Sequence, residues 1–188
     1  MKNEAPFILD WLAHHMALGF TGFVICWNDC EDGTDRMLQR LEELGLIIQH
    51  RTLIRKAGIH KSAINQARKK QLVRDSDWVL VCDVDEYLNI HVGDHSVQAL
   101  VEESGPDADI IGIPWRVFGS SGVETLTDLP VPTQFLRTER PPHPVHNPHA
   151  GKQVKSLFTD PNRFPRFGVH APNLPADGAD SIRVVYPG

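Results

Sequence analysis

The chain has 188 residues, of which 41% are hydrophobic and 23% are charged, and its formal net charge is −5 with histidine neutral. This size and composition predict one globular domain with a core of its own, and the acidic balance argues against a nucleic-acid-binding protein, which needs a basic face. Since no apolar stretch is long enough to span a bilayer and no signal peptide is evident, we expect a cytoplasmic or at most membrane-peripheral protein.

The first predicted element is a helix that begins almost at the amino terminus. Asn3 is a suitable N-cap, Pro6 lies in the first turn, and apolar residues recur at helical spacing until Gly19 ends the pattern. Because an α/β sheet usually starts with a strand and none precedes this helix, we expect a fragment that lacks its first strand.

The following segments alternate between strand and helix, each identified by its apolar periodicity and its turn residues. Strands are predicted at 23–27, 46–48, 78–82 and 109–115, and helices at 34–45, 61–74 and around 97–101. Such alternation predicts an α/β domain whose central sheet is mostly parallel and flanked by helices.

Beyond residue 118 the pattern loosens into a segment rich in Gly, Ser and Pro. Short strands are predicted at 133–137 and 155–158, and residues 182–188 are predicted to be a strand or the lead into another element. The Pro- and His-rich segment 141–149 predicts a surface loop, because proline removes backbone donors and blocks helix formation. We therefore treat residues 1–188 as one domain with two halves, 1–118 and 119–188.

Two carboxylates, Asp83 and Asp85, follow the apolar run that ends at Cys82. In extended chain, residues two apart project to the same side, so the two side chains can converge on one Mg2+ or Mn2+ ion. Glu86 makes the cluster denser, and such crowding is unfavourable unless something positive lies nearby. The structural alternative is that both aspartates are ordinary cap or turn residues.

The acidic turn at residues 28–35 superficially resembles a calcium loop. Counting from Gly33 places Cys30 at the third ligand position and Gln39 at the last, where a glutamate is required, so the calcium interpretation fails. A loop that leaves a buried strand and begins a helix can instead hold an anion or a nucleotide base, and a capped turn without a ligand is the alternative.

Histidine and cysteine residues offer one further candidate ligand. His170 lies late in the chain and could complete a metal shell with the two aspartates. The three cysteines are best explained as buried free thiols, since no second Cys or His pair completes a zinc pattern.

An ordered set of short motifs spread over nearly the whole chain resembles a known enzyme group. The motifs are Lys2-Asn3-Glu4, Asp10-Trp11, His15, Asn28-Asp29, Asp32-Gly33-Thr34, Asp83-Val84-Asp85-Glu86-Tyr87, Trp115, Phe118-Gly119 and Gly168-Val169-His170. The set resembles the glycosyltransferase family 2 relatives with a GT-A (Rossmann-like) fold, in particular the bacterial domains similar to glycosyltransferase family 92.

The resemblance implies metal-dependent transfer of a sugar from a nucleotide-diphosphate sugar to a glycan or another hydroxyl acceptor. It implies that residues 1–118 bind the nucleotide sugar, that residues 119–188 face the acceptor, and that Mn2+ or Mg2+ bridges the diphosphate. The implied metal ligands are Asp83, Asp85 and His170, and the implied donor contacts are Glu4, Asn28, Asp32 and Asp83.

An inverting enzyme also needs a carboxylate base for the acceptor hydroxyl, for which Glu86 and Glu124 are the candidates. Two other functions remain open. An apolar strand that runs into Asp83-Val84-Asp85 also resembles the opening of haloacid-dehalogenase-like phosphatases, although Tyr87 stands where those usually carry Thr or Val. The other is a module that binds a nucleotide or glycan without turnover.

Overall fold

The computed structural model describes residues 1–138 and 154–186 and shows a mixed α/β fold. Six α-helices lie in these ranges: α1 (Ala5–Ala17), α2 (Thr34–Glu43), α3 (Ile59–Ala67), α4 (Gln71–Arg74), α5 (Val97–Ser104) and α6 (Val131–Gln134). The strands are β1 (Val24–Trp27), β2 (Ile48–Arg51), β3 (Trp78–Leu80), β4 (Ile110–Pro114), β5 (Val154–Thr159), β6 (Arg166–Phe167), β7 (Pro172–Asn173) and β8 (Val184–Val185).

The described strands form three small sheets. Strands β1 and β2 are parallel, with Val24 opposite Ile48, and β6 and β7 form a short antiparallel ribbon. The largest sheet has the order β3-β5-β4-β8, in which β5 is antiparallel to both of its neighbours and β4 is parallel to β8. One mostly parallel sheet, as expected from the alternation, is not what these strands show, because β5 lies between β3 and β4 and runs in the opposite direction.

Several predicted elements differ in extent or type. The basic helix at 61–74 is divided into α3 and α4, and β3 ends at Leu80 rather than at residue 82. The strand predicted at 133–137 is wrong, because helix α6 extends to Gln134 and residues 135–137 have no regular structure. Pro130 and Pro132 explain α6, since their fixed φ suits a first helical turn. The predicted loop at 141–149 lies outside the described residues, and nothing tests the division into halves at residue 118.

The apolar side chains of the described residues form three buried clusters. The first joins α1, β1 and α2 through Ile8, Ile25 and Leu38, and the second joins α5, β4 and β5. The third consists mainly of aromatic rings, with Phe158 of β5 packed against two phenylalanines from the following segment. Strand β5 therefore contributes to two of the three clusters.

Helix α1 anchors the segment that follows Asp85. The indole nitrogen of Trp11 donates to the carbonyl oxygen of Glu86 at 3.0 Å, and the Tyr87 hydroxyl donates to Asp10 Oδ2 at 3.0 Å. Burial, followed by the hydrogen bond to Asp10, raises the pKa of Tyr87, so this phenol stays a donor. Asp10 and Trp11 thus hold the Glu86-Tyr87 segment in place.

His15 is 2% exposed and packs between the rings of Trp11 and Phe20. Its Nδ1 lies 2.8 Å from the Trp11 carbonyl oxygen, whereas its buried Nε2 finds no hydrogen-bond partner among the described residues. Because burial disfavours the charged imidazolium, the pKa of His15 falls to about 4.

We expect His15 to make folding pH-dependent. A histidine whose folded pKa lies below its unfolded pKa contributes fully to stability above about pH 6.5 and loses that contribution as the pH falls toward 4, by up to about 3 kcal/mol. Urea unfolding between pH 7.5 and 4.5 measures this loss. In His15→Gln the decline should be shallower over the same interval, and an identical decline in both proteins would contradict the prediction.

Candidate functional site

Five side chains meet at one end of the large sheet, and we call them the Lys155 cluster: Asp83, Glu86, Trp115, Lys155 and His170. Lys155 Nζ lies 2.9 Å from Asp83 Oδ2 and 3.0 Å from Glu86 Oε2. The same ammonium lies 5.7 Å from the centre of the Trp115 ring, and the ring centres of Trp115 and His170 are 5.0 Å apart. The cluster thus contains a cation, two carboxylates and two aromatic rings.

The antiparallel direction of β5 explains this convergence. Leu80 at the end of β3 pairs with Leu157, and Pro114 at the end of β4 pairs with Val154. The start of β5, with Lys155, therefore meets the carboxyl ends of both neighbouring strands. Asp83 follows one of those ends and Trp115 follows the other, so residues far apart in sequence become neighbours.

The acidic residues form a tight turn rather than an extended strand end. The backbone nitrogen of Glu86 donates to the Asp83 carbonyl oxygen at 3.1 Å, and the Asp83 nitrogen donates to Glu86 Oε2 at 2.9 Å. The expectation that Asp83 and Asp85 project to one side of an extended chain is therefore wrong. The pair that shares a cation in the described residues is Asp83 with Glu86.

Lys155 is the most deeply buried charge of the cluster. Its side chain is 5% exposed, whereas those of Asp83 and Glu86 are 50% and 20% exposed. Burial acts to lower the pKa of Lys155, but the hydrogen bonds and negative charges of Asp83 and Glu86 outweigh it, so that the pKa is raised. The ammonium is thus charged at neutral pH and serves as the counter-ion of both carboxylates.

Three predicted donor contacts, Glu4, Asn28 and Asp32, lie where residues 1–5 pack against the turn at 28–35 that follows β1. The Met1 nitrogen donates to Cys26 O at 2.7 Å, and Met1 O accepts from the Asn28 nitrogen at 3.2 Å. Burial and the charge of Asp85 raise the pKa of Glu4. The effect of Asp85 reflects the proximity of Glu4 to the turn that follows β3.

Asp32 connects the starts of two helices. Its carboxylate accepts from the backbone nitrogen of Thr34 at 2.9 Å and from that of Ala5 at 3.0 Å. The hydrogen bonds with Thr34 lower the pKa of Asp32, as expected for a carboxylate at helix amino termini. Asn28 is 5% exposed, and its Nδ2 lies 3.4 Å from Asp29 Oδ2. Both side chains therefore already have structural contacts, and their predicted donor roles stay predictions.

The remaining predicted residues differ in their relation to the cluster. His170 is exposed, and its Nδ1 lies 3.2 Å from the Val154 carbonyl oxygen, next to Lys155. Glu124 is exposed in the loop between β4 and α6, with no hydrogen bond or ion pair to the cluster within the described ranges. His170 is thus part of the site, and Glu124 is not joined to it.

The set predicted to hold Mn2+ or Mg2+ is not assembled within residues 1–138 and 154–186. No group of three His, Cys, Asp or Glu side chains in these ranges is arranged to hold a metal ion. One oxygen of Asp83 binds the Lys155 ammonium, and a positive nitrogen is not a ligand for a hard cation. Of the predicted ligands Asp83, Asp85 and His170, Asp83 is thus already paired with a cation of the chain, and the metal-binding role of the set stays a prediction.

A pocket of about 430 Å3 reaches the segment that carries His170. It is lined by His60, Lys61 and Val169, together with the Ala57–Ile59 segment. Val169 is the residue before His170 in the chain, so the pocket with the Lys61 charge borders the segment that contributes His170 to the cluster.

Comparison of the chain with protein-family models, with curated proteins and with solved structures finds no significant match. Across the part of the chain that the structure describes, no helix has the length and apolar character needed to cross a membrane. The site must therefore be interpreted from its own chemistry.

Sequence reasoning missed Lys155. The only signal was a lysine within the apolar run of β5, and a charged residue in such a run is buried only when it is paired. Its partners could not be named, because they depend on β5 inserting between β3 and β4.

Proposed function

We propose that this chain is a GT-A-type glycosyltransferase domain that transfers a sugar from a nucleotide-diphosphate sugar to a glycan or another hydroxyl acceptor. The observation that carries the proposal is the Lys155 cluster, in which half-exposed carboxylate and exposed aromatic groups share one surface. It is supported by the motif resemblance along the chain.

The exposed groups of the cluster match the chemistry of a sugar. Asp83 is half exposed and Asp85 is exposed, so their free oxygens can accept hydrogen bonds from ribose or hexose hydroxyls. Trp115 is 39% exposed and offers an apolar face against which a sugar ring can pack. A site built from carboxylates and an indole favours a polyhydroxylated ligand over an apolar one.

The leaving diphosphate needs positive charge, which the acidic turn does not supply. As the bond to the anomeric carbon breaks, negative charge develops on a phosphate oxygen and is stabilised by cations positioned there. Lys61 and His60 line the pocket that reaches Val169, and the Lys61 ammonium is a positive charge that no described carboxylate pairs with. We assign the diphosphate to this side and the sugar to the Trp115 side.

The acceptor hydroxyl must lose a proton, and the two predicted bases differ in availability. Glu86 Oε2 already accepts from Lys155 Nζ and from the Asp83 nitrogen, so this oxygen has two donors in place before any acceptor hydroxyl arrives. Glu124 is exposed and therefore the more available carboxylate, but it needs movement of its loop to reach the cluster. Glu124→Gln separates the two roles, since only a base lowers turnover without weakening donor binding.

The proposal predicts that the protein releases a nucleoside diphosphate from at least one sugar donor, and that Asp85→Ala slows this release about 10-fold to 100-fold. The magnitude corresponds to one lost hydrogen bond to a charged group. A panel of nucleotide-diphosphate sugars is assayed for nucleotide release and sugar transfer. Asp85 is exposed at the tip of its turn, so its removal should leave the fold intact.

Glu103→Gln, which removes an exposed carboxylate on α5, is the matched control and should behave like the native protein. Calorimetric binding of a nucleotide without turnover of any donor would support the inactive binding module instead. Hydrolysis of simple phosphomonoesters that disappears in Asp83→Asn would support the phosphatase. Turnover that is equal in Asp85→Ala and in the native protein would contradict our assignment of Asp85.

A further inference from the structure

The Asp83 and Glu86 carboxylates already hold a cation that belongs to the chain. We propose that the Lys155 ammonium is the resident cation of these carboxylates and supplies the positive charge that a divalent metal was expected to bring, so that the folded protein binds neither Mn2+ nor Mg2+ between them. The inference concerns ion binding alone and does not depend on the transferase proposal.

The Lys155 ammonium is paired directly with both carboxylates. Two of its N–H groups can point at Asp83 Oδ2 and Glu86 Oε2, at 2.9 and 3.0 Å, which are ordinary distances for charge-assisted hydrogen bonds. Glu86 Oε2 also accepts from the Asp83 nitrogen at 2.9 Å, so the ammonium and the turn backbone share one oxygen. The ion pair and the turn stabilise each other.

A metal ion cannot simply be added to this arrangement. A divalent cation bound by the same two oxygens would lie a few ångströms from the ammonium, where like charges repel strongly outside bulk water. Lys155 would have to leave, yet its side chain is 5% exposed and the Trp115 ring lies 5.7 Å from its nitrogen. Strand pairing of Lys155 with Ile113 fixes the backbone from which the side chain extends.

The alternative, in which Lys155 only fills space, is inconsistent with its burial. A lysine this buried is stable as a cation only when it is paired, and two partners of opposite charge lie within 3.0 Å. Asp85, the other predicted ligand, is exposed and belongs to the same turn, but the Asp83 charge beside it is already neutralised by Lys155, which leaves less negative charge for Mn2+. The lysine is therefore the group that determines whether the turn binds metal.

Manganese binding to the full chain, measured by calorimetry and by the electron paramagnetic resonance signal of free Mn2+, tests the proposal. We expect no stoichiometric Mn2+ binding to the native protein. Lys155→Met keeps the length and apolar stem of the side chain but removes the charge, and it should gain a site at least about tenfold tighter than any in the native protein. The gain should disappear when Asp83→Asn is added.

Lys155→Arg is the matched control, because it keeps the positive charge and should gain no site. Mn2+ bound by the native protein and lost in Asp83→Asn would overturn the proposal. If Lys155→Met fails to fold, Mn2+ binding by the native protein and by Asp83→Asn still tests the proposal. Equal Mn2+ binding by the two proteins supports it, because Asp83 then holds no metal ion. These binding measurements do not require sugar transfer, so they can be interpreted even if the transferase proposal fails.

Discussion

The free energy of unfolding of the double variant Asp83→Asn, Glu86→Gln is expected to be about 3 kcal/mol lower than that of the native protein. The reason is that the double variant leaves the Lys155 ammonium buried without a counter-ion. The ammonium must then remain charged without a partner or lose its proton, and both are unfavourable. Urea unfolding at pH 7, with the free energy extrapolated to water, measures the loss.

Each single substitution should lower the free energy of unfolding by clearly less than half of that amount, since one carboxylate still pairs with the lysine at 2.9 or 3.0 Å. Adding Lys155→Met to the double variant should recover most of the lost stability, because the buried charge is removed together with its partners. A double variant that loses less than about 1 kcal/mol would show that Lys155 does not need this pair, which would weaken the resident-cation proposal as well.

Phe158→Ala is expected to destabilise the protein by about 3–5 kcal/mol, the range for removing a buried phenylalanine ring. Phe158 is 1% exposed, and its ring centre lies 5.4 Å from that of Phe164 and 4.8 Å from that of Phe167. Truncation leaves a cavity between the large sheet and the segment that carries His170. The shift of the urea midpoint at constant slope measures the loss.

Leu129→Ala is the control for this substitution, because Leu129 is a large apolar side chain that is 62% exposed, and it should change stability by less than about 0.5 kcal/mol. Phe158→Leu should fall between the two, since it retains part of the buried volume. If Phe158→Ala were as mild as the control, the aromatic cluster would not be what holds β5 in place.

The two proposals on the acidic turn have a joint consequence. If Lys155 neutralises Asp83 and Glu86, any sugar transfer should continue in the presence of a chelator, and the leaving diphosphate must be stabilised by side chains such as Lys61. A transferase whose activity requires Mn2+ would keep the function but refute the resident cation. A chain that binds no Mn2+ and transfers no sugar would refute only the function.

Much of the fold is predictable from local sequence patterns. The periodicity around Trp11 and the turn residues before Thr34 predicted α1 and α2, and apolar runs predicted β1, β3 and β4, all of which are confirmed with boundary shifts of a few residues. These elements were recognisable because amphipathic spacing and capping depend on neighbours within one or two turns of chain.

The geometry of the acidic turn was less predictable. The motif identified Asp83 and Glu86 as charged groups after a strand, and crowding of carboxylates called for a nearby positive charge. The sequence suggested a metal ion, whereas the structure places the Lys155 ammonium at 2.9 Å. Both satisfy the same electrostatic demand, so the local pattern could not distinguish them.

By itself, the sequence determined a mixed α/β chain, its main helices and strands, and a cluster of carboxylates after β3 whose crowding calls for a positive charge. Only the tertiary structure decided the direction and position of β5, and with them the identity of that cation, because strand pairing joins Leu80 to Leu157 across a long stretch of chain. Such pairing depends on how distant apolar faces pack together, and no local spacing of residues records it.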